Sequence, residues 1–199
     1  MTLPALHALS REAGHCSKMR AMSTLNFRAA TLADIPALIT LVTSAYRGDA
    51  SRAGWTTEAD MLDGARIDAQ GLQADIERSR STVLLAERNG ALVACAHVAD
   101  EDGKGNFGMF SVDPAQQGGG VGKQVMDAAE AHAAREWGVP VMQMTVIDIR
   151  DELIAFYERR GYVRTGIKKP FPYGDERFGI PKRDDLRFEV LEKPLVTQP

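Results

Sequence analysis

Apolar side chains recur along this chain at two spacings, and the switches between them divide it into elements. Leu25, Phe27 and Ala29 alternate with polar neighbours, as in a half-buried strand. Thr31, Leu32, Ala33 and Asp34 then read as a capping box with Pro36 in the first turn behind it, and Leu38, Leu41 and Val42 follow at helical spacing. Tyr46, Arg47 and Gly48 end that helix. Residues 51–54 are loop-like; Thr56 or Thr57 is expected to cap a short helix through Met61 and Leu62, with a second helix near 72–78. This irregular, aromatic-bearing stretch suits a lid over a substrate as well as it suits ordinary loop packing.

Strand spacing returns at 83–86, Asn89 and Gly90 form a two-residue hairpin turn, and 91–99 is the next strand. A polar, glycine-containing turn over 100–106 leads into an apolar run at 109–112. After a glycine-rich break, Val121, Val125, Ala128, Ala129 and His132 share one helical face, and Gly138 and Pro140 stop that helix. Residues 141–147 alternate as a strand, with Val141, Gln143, Thr145 and Ile147 on one face and Met142, Met144 and Val146 on the other. Asp151 and Glu152 open a helix holding Leu153, Phe156 and Tyr157, and Arg159, Arg160 and Gly161 suit its C-terminal end. Strands at 162–165 and 186–191 flank a loop rich in proline, glycine and charge. Residues 1–23 show no clear period and are expected to be a flexible N-terminal extension, leaving 24–199 as one domain.

Candidate chemistry concentrates where the run at 109–112 breaks at Asp113 and Pro114 and passes through Gly118, Gly119, Gly120 and Gly122 into a helix. Strand, glycine turn and helix N-terminus together make an anion cradle, because N–H groups converge without Cβ obstruction and the helix end carries partial positive charge. A nucleoside-triphosphate loop is disfavoured: Gln117 stands where its first glycine belongs, and Gln124 where its metal-binding hydroxyl belongs. The dinucleotide pattern fails too, since its last glycine would have to fall at Lys123.

Gln117, Gly120 and Gly122 do match Gln/Arg-x-x-Gly-x-Gly/Ala, the acetyl-CoA signature of the GNAT (Gcn5-related) N-acetyltransferases, which the stretch resembles. A second segment, Ala155, Phe156, Tyr157, Glu158, Arg159, Arg160, Gly161 and Tyr162, resembles that family's Ala-Leu/Phe-Tyr-Glu-Lys/Arg-x-Gly-Phe/Tyr, and the element order is similar over residues 25–195. The resemblance implies an α/β fold with a central mixed, mostly antiparallel sheet of six to seven strands flanked by helices. It implies acetyl-CoA as acyl donor, its pantetheine arm against the backbone of Phe110, Ser111 and Val112 in a gap opened towards residues 141–147. Its pyrophosphate would sit among Gln117, Gly118, Gly119, Gly120, Val121, Gly122 and Lys123. Tyr157 matches the tyrosine that protonates the departing sulfur, and a neutral phenol can donate at pH 7.

The same resemblance implies transfer to a primary amine of a small molecule or amino acid; a protein or peptide acceptor and a non-catalytic acyl-CoA-binding domain are the alternatives. No single base stands out: Thr145 takes the position of the family's strand glutamate and Arg150 that of a frequent asparagine, while Glu58, Asp148, Glu101 and His97 are the candidates. Trp55 and Tyr173 sit on two irregular loops that could close on one acceptor pocket, with Glu58 or Asp175 attracting the amine.

Composition adds exclusions. In 199 residues the hydrophobic share is 44%, the charged share 26% and the formal net charge −3, an ordinary globular balance that gives no reason to expect nucleic acid or an anionic membrane as partner. Two cysteines, Cys16 and Cys95, lack paired spacing, no metal site is expected, and no run approaches membrane-spanning length. A cytoplasmic setting is expected, and a homodimer is left open.

Overall fold

The structure, a computed structural model, describes residues 24–54 and 56–195, with Arg177 described by its backbone alone. The extension expected at 1–23 and the pocket role expected of Trp55 therefore lie outside the described residues.

Strand β1 (Asn26–Ala29) runs into the expected capping box, in which the Asp34 carboxylate accepts the Thr31 N–H at 2.8 Å. One 3-10 turn later helix α1 (Ile35–Tyr46) buries Leu38, Leu41, Val42 and Tyr46. A single turn, α2 (Gly48–Ser51), and a two-residue strand, β2 (Leu62–Asp63), follow. The helix expected from a Thr56 or Thr57 cap does not form. The Thr56 hydroxyl is engaged with Ala45 O, and the Thr57 hydroxyl, besides its bond with Ser51, caps a single turn by accepting the Ala59 N–H at 3.2 Å; the N–H groups of Met61 and Leu62 close that turn on Glu58 O before Leu62 enters β2. Helix α3 (Ala69–Glu77) starts three residues earlier than its expected 72, because Asp68 caps it by accepting from Gly71 N at 2.7 Å.

Strands β3 (Ser81–Arg88), β4 (Ala91–Glu101) and β5 (Lys104–Val112) form a meander. Positive φ at Asn89 and Gly90, and again at Asp102 and Gly103, makes both connections two-residue turns. The second is tighter than the turn expected over 100–106, since an αL-tolerant Asp-Gly pair lets Glu101 and Lys104 remain paired across the strands. Helix α4 (Val121–Trp137), strand β6 (Val141–Ile147), helix α5 (Asp151–Glu158) and strands β7 (Val163–Pro170), β8 (Ile180–Pro181) and β9 (Arg187–Pro194) complete the order.

The main sheet has seven strands in the order β1-β3-β4-β5-β6-β9-β7, and β5–β6 is its one parallel pair. The α1 side of the sheet packs Val83, Leu85 and Cys95 against Leu38, Leu41 and Val42. The opposite side packs Val93, Phe107 and Met142 against Val125 and Met126 of α4 and Ile154 of α5.

Two features of β5 open this sheet. Pairing with β6 stops after Gly105 with Met142 and Asn106 with Gln143, so the strands part from there. Against β4 the register passes from His97–Gly108 to Cys95–Ser111, leaving Met109 and Phe110 opposite Ala96 in a bulge, with Met109 at φ 48°. Separately, β2 and β8 pair as a two-residue antiparallel ladder that joins the excursion after α1 to the loop between β7 and β9.

Candidate active site

The glycine turn reaches α4 with Gly118 at φ 85° and Gly120, its N-cap, at φ 75°, conformations that side-chain-bearing residues rarely adopt. The helical ladder begins with Gln124 N–H on Gly120 O at 3.2 Å, so the amides of Val121, Gly122 and Lys123 have no carbonyl a turn earlier within the helix. Gly122 permits a close approach: a Cβ there would stand 3.2 Å from Phe110 Cζ and 3.4 Å from Phe156 Cζ. A cleft of about 340 Å³ opens at this point. Of the predicted cradle residues, Phe110, Val112, Gln117, Gly118, Gly120, Val121, Gly122 and Lys123 line it. Ser111 and Gly119 do not; the Ser111 hydroxyl is buried and donates to Met109 O at 3.3 Å.

Gln117 turns its side chain inward, with Nε2 on Val112 O at 3.2 Å, directly under Gly54, where a Cβ would meet that same nitrogen at 2.8 Å. Its side chain thus locks the mouth of the cleft to the excursion after α1. Lys123 pairs with Asp127 at 2.6 Å on the exposed first turn of α4. Sequence reading missed Arg160 as a cleft residue. Its guanidinium lies 3.4 Å over the Phe156 ring, donates to Phe156 O at 2.9 Å and keeps a buried Nε without a partner among the described residues. Burial, and neighbouring Arg159, lower its pKa from the ordinary arginine value. Glycines without Cβ atoms, helix-opening amides and an arginine with an unpartnered Nε among the described residues fit the phosphates and pantetheine arm of coenzyme A.

A second cavity, about 160 Å³, lies between the parted strands and shares Phe110 with the first. Tyr157 lines it, 5% exposed, its ring edge-on to Phe156 and Tyr162. Among the described residues nothing hydrogen-bonds the Tyr157 hydroxyl, and burial pushes the phenol well above its ordinary pKa of 10.0, so it keeps its proton. Tyr46 differs: its hydroxyl donates to Phe110 O at 2.5 Å, and burial pushes it up to about 12.

Glu58 reaches this cavity as expected of an acceptor-side residue, but its Oε2 accepts from Arg47 Nη1 at 2.6 Å. Tyr173 lines neither cavity: its hydroxyl accepts the Leu186 N–H at 2.7 Å and its ring packs on Phe171, so it anchors the loop, and Phe178 supplies that loop's aromatic ring at the cavity instead. Other candidate bases stand apart from it. His97 bonds with Ser81 behind β4, Glu101 pairs with Arg78 at the far hairpin, and Asp148 pairs with Lys168 at 2.8 Å. Thr145 and Arg150 line the cavity as their positions suggested, and Arg66 joins them with no signal in the sequence that could have placed it there.

A mixed sheet parted between two parallel strands, with a glycine-capped helix at the opening, is the GNAT arrangement. Residues 79–164 match the family model for the acetyltransferase (GNAT) domain. IAA acetyltransferase of Azospirillum brasilense is 29% identical over 115 residues, which cover 56% of this chain and 67% of that protein. Mycothiol acetyltransferase of Propionibacterium freudenreichii is 39% identical over 67 residues, 33% of this chain and 21% of that protein, so this chain spans well under half of it. The structure of yncA from Salmonella typhimurium, solved with its cofactor acetyl-CoA, has a TM-score of 0.62 at 21% identity and covers 89% of this chain and 97% of that one. The fold is thus that of the GNAT structures, and residues 79–164, under half of the chain, carry the match to the acetyltransferase domain.

Proposed function

We propose that the protein transfers an acetyl group from acetyl-CoA to the primary amine of a small molecule by direct attack. The single observation that carries this reading is Tyr157: a buried, protonated hydroxyl with no partner among the described residues, facing the cavity that meets the glycine cradle at Phe110. Acetyl-CoA supplies the activated acetyl group as a thioester. Gly118, Gly120 and the opening amides of α4, with Arg160, hold the donor's phosphates. The attacking nitrogen forms a bond to the acetyl carbon, the carbon–sulfur bond breaks, and Tyr157 Oη gives its proton to the sulfur. The amine's surplus proton returns the phenol to its starting state, directly or through water. The low-polarity setting that raises the phenol's pKa also raises that of a thiolate, as burial does for the Cys95 thiol, pushed up to about 12 in this same fold.

A small acceptor is favoured over a peptide because the two segments that bring Glu58, Arg66 and Phe178 to the cavity are tied together by the β2–β8 ladder and by Lys182 Nζ on Ala59 O at 2.8 Å. Among the described residues Glu58 is the one carboxylate lining the cavity, and its pairing with Arg47 makes it a weak candidate for a base, so the amine is read as losing its proton to solvent before attack. A cytoplasmic setting remains part of this reading, supported by the unpaired, buried Cys95 thiol. The test is calorimetric titration with acetyl-CoA. Gly120→Val places a β-branched side chain at φ 75° in the cradle and is expected to weaken binding at least tenfold, about 1.4 kcal/mol, with an unchanged far-ultraviolet spectrum. Equal affinity in parent and variant would mean that the donor binds elsewhere.

A further inference from the structure

We propose that the acceptor is an amino-carboxylate, an amino-acid-like molecule whose carboxylate is held by the Arg66 guanidinium in the cavity between β5 and β6; this rests on the acetyl-transfer reading above.

The charge around Glu58 is unbalanced. Three guanidinium groups converge on its one carboxylate: Arg47 Nη1 at 2.6 Å, Arg150 Nη1 at 3.6 Å and Arg66 Nε at 3.9 Å. The Glu58, Arg47 and Arg150 side chains are each at least nine-tenths buried, and that of Arg66 is 28% exposed. The short charge-assisted bond to Arg47 takes the first share of the Glu58 charge, and Arg66 stands at the outer limit of ion-pair range. Arg47 and Arg66 by themselves bring two positive charges to this side of the cavity against the single charge of the Glu58 carboxylate. Cations held out of water are stabilised by an anion that enters with them. A planar carboxylate matches the guanidinium fork and can accept two parallel bonds from it.

Arg66 is also placed for this task. Among the described residues it donates no hydrogen bond, so its fork is not committed to the fold. It lies 5.3 Å over the ring of Tyr46, whose hydroxyl donates to Phe110 O. One tyrosine ring therefore separates Arg66 from the residue at which the two cavities meet. A molecule bridging that distance with its carboxylate on Arg66 presents its amine toward Phe110 and the Tyr157 hydroxyl. Glu58, expected from sequence to attract the amine, instead holds Arg47 and orients the arginine cluster, so the cavity selects for the acceptor's anionic end.

The test uses the proteinogenic L-amino acids, each against its own methyl ester, with parent protein, Arg66→Gln and Arg66→Lys. Esterification removes the charge and keeps the amine, which it makes easier to deprotonate, so any loss on esterification reports the carboxylate. Two readouts are taken: thermal stabilisation in the presence of CoA, and CoA thiol release from acetyl-CoA. In the parent at least one free acid is expected to raise the Tm where its ester does not, and to be turned over with kcat/KM at least tenfold above the ester. Arg66→Gln should remove both preferences, mainly through the acceptor's KM, while the KM for acetyl-CoA and the unliganded Tm hold; Arg66→Lys should fall between. Esters that bind or react as well as the acids, or an Arg66→Gln effect equal on both, would overturn the inference and leave acetyl transfer intact. Arg66-dependent stabilisation by acids without thiol release would support the carboxylate site and count against acetyl transfer. A panel in which no acid shifts the Tm and none is turned over overturns the inference.

Discussion

Tyr157 combines two properties that are seldom found together at one side chain. Its ring is core, edge-packed on Phe156 and Tyr162, yet its hydroxyl faces a cavity without a hydrogen-bond partner among the described residues. A phenol used only for packing would be expected to find an acceptor, as Tyr46 does on Phe110 O and Tyr162 does on Glu130 at 3.0 Å. Tyr157→Phe should keep the packing and remove the proton, lowering kcat on the order of a hundredfold with little change in the KM for acetyl-CoA. Because burial raises the phenol's pKa, its proton is retained as pH rises through the ordinary 10.0, so the alkaline limb of the parent's kcat profile should show no loss assignable to Tyr157 near about pH 10. An unchanged kcat in the phenylalanine variant would reduce Tyr157 to a packing residue. Tyr157 was legible in the sequence because its neighbours from Ala155 to Tyr162 fit a family segment. Arg66 and Arg160 were not: Arg160 reads only as a charge suited to the C-terminal end of α5 and Arg66 carries no local sign, until the fold brings each over an aromatic ring.

At the scale of elements, what could be read was set by local chemistry, and what could not depended on distant pairing. Asn89 with Gly90, the Thr31 capping box, and Gly138 after α4, in the left-handed region at φ 65°, each fix a boundary from within a few residues. The ladder of β2 with β8 has no such local sign, being two residues on each side and separated by more than a hundred positions; that is why a helix was expected where Leu62 forms a strand. Tyr173 was misplaced for the same reason, since its partner is the Leu186 amide across the loop. Gly179 is the hinge of this small sheet: it sits at φ 94°, and a Cβ there would lie 2.8 Å from Asp63 O and 2.9 Å from Arg47 Nη2. Gly179→Ala is expected to cost about 2 kcal/mol or more from the backbone conformation and the clash, lowering the Tm by roughly 4–8 °C. It should also raise the acceptor's KM through Arg47 and Glu58 while acetyl-CoA affinity holds. A melting curve and an acceptor KM indistinguishable from the parent's would show that the β2–β8 ladder does not shape the cavity.

For the molecule as a whole, the gap in the sheet decides what the protein can do. A β5 that paired with β6 along its length would close the cavity that both strands line, whereas the bulge at Met109 and Phe110 and the short parallel contact at Gly105 and Asn106 keep it open, meeting the glycine-turn cleft at Phe110. The mixed sheet, expected with six to seven strands, followed from the resemblance to two family segments, and the glycine turn was visible because strand, turn and helix follow one another directly. The second cavity was not, because its lining comes from α1, the excursion after it, β5, β6, α5 and the last loop, which only the folded chain brings together. Whether bound acetyl-CoA is consumed separates an acetyltransferase from a binding domain. The measurement is initial-rate release of CoA thiol from acetyl-CoA across a panel of primary amines, with the N-acetyl product followed by mass spectrometry. At least one small amine is expected to give thiol and N-acetylated product in equal amounts. Tight, cradle-dependent binding of acetyl-CoA with no amine consumed would contradict acetyl transfer and leave a domain that binds the thioester without transferring it.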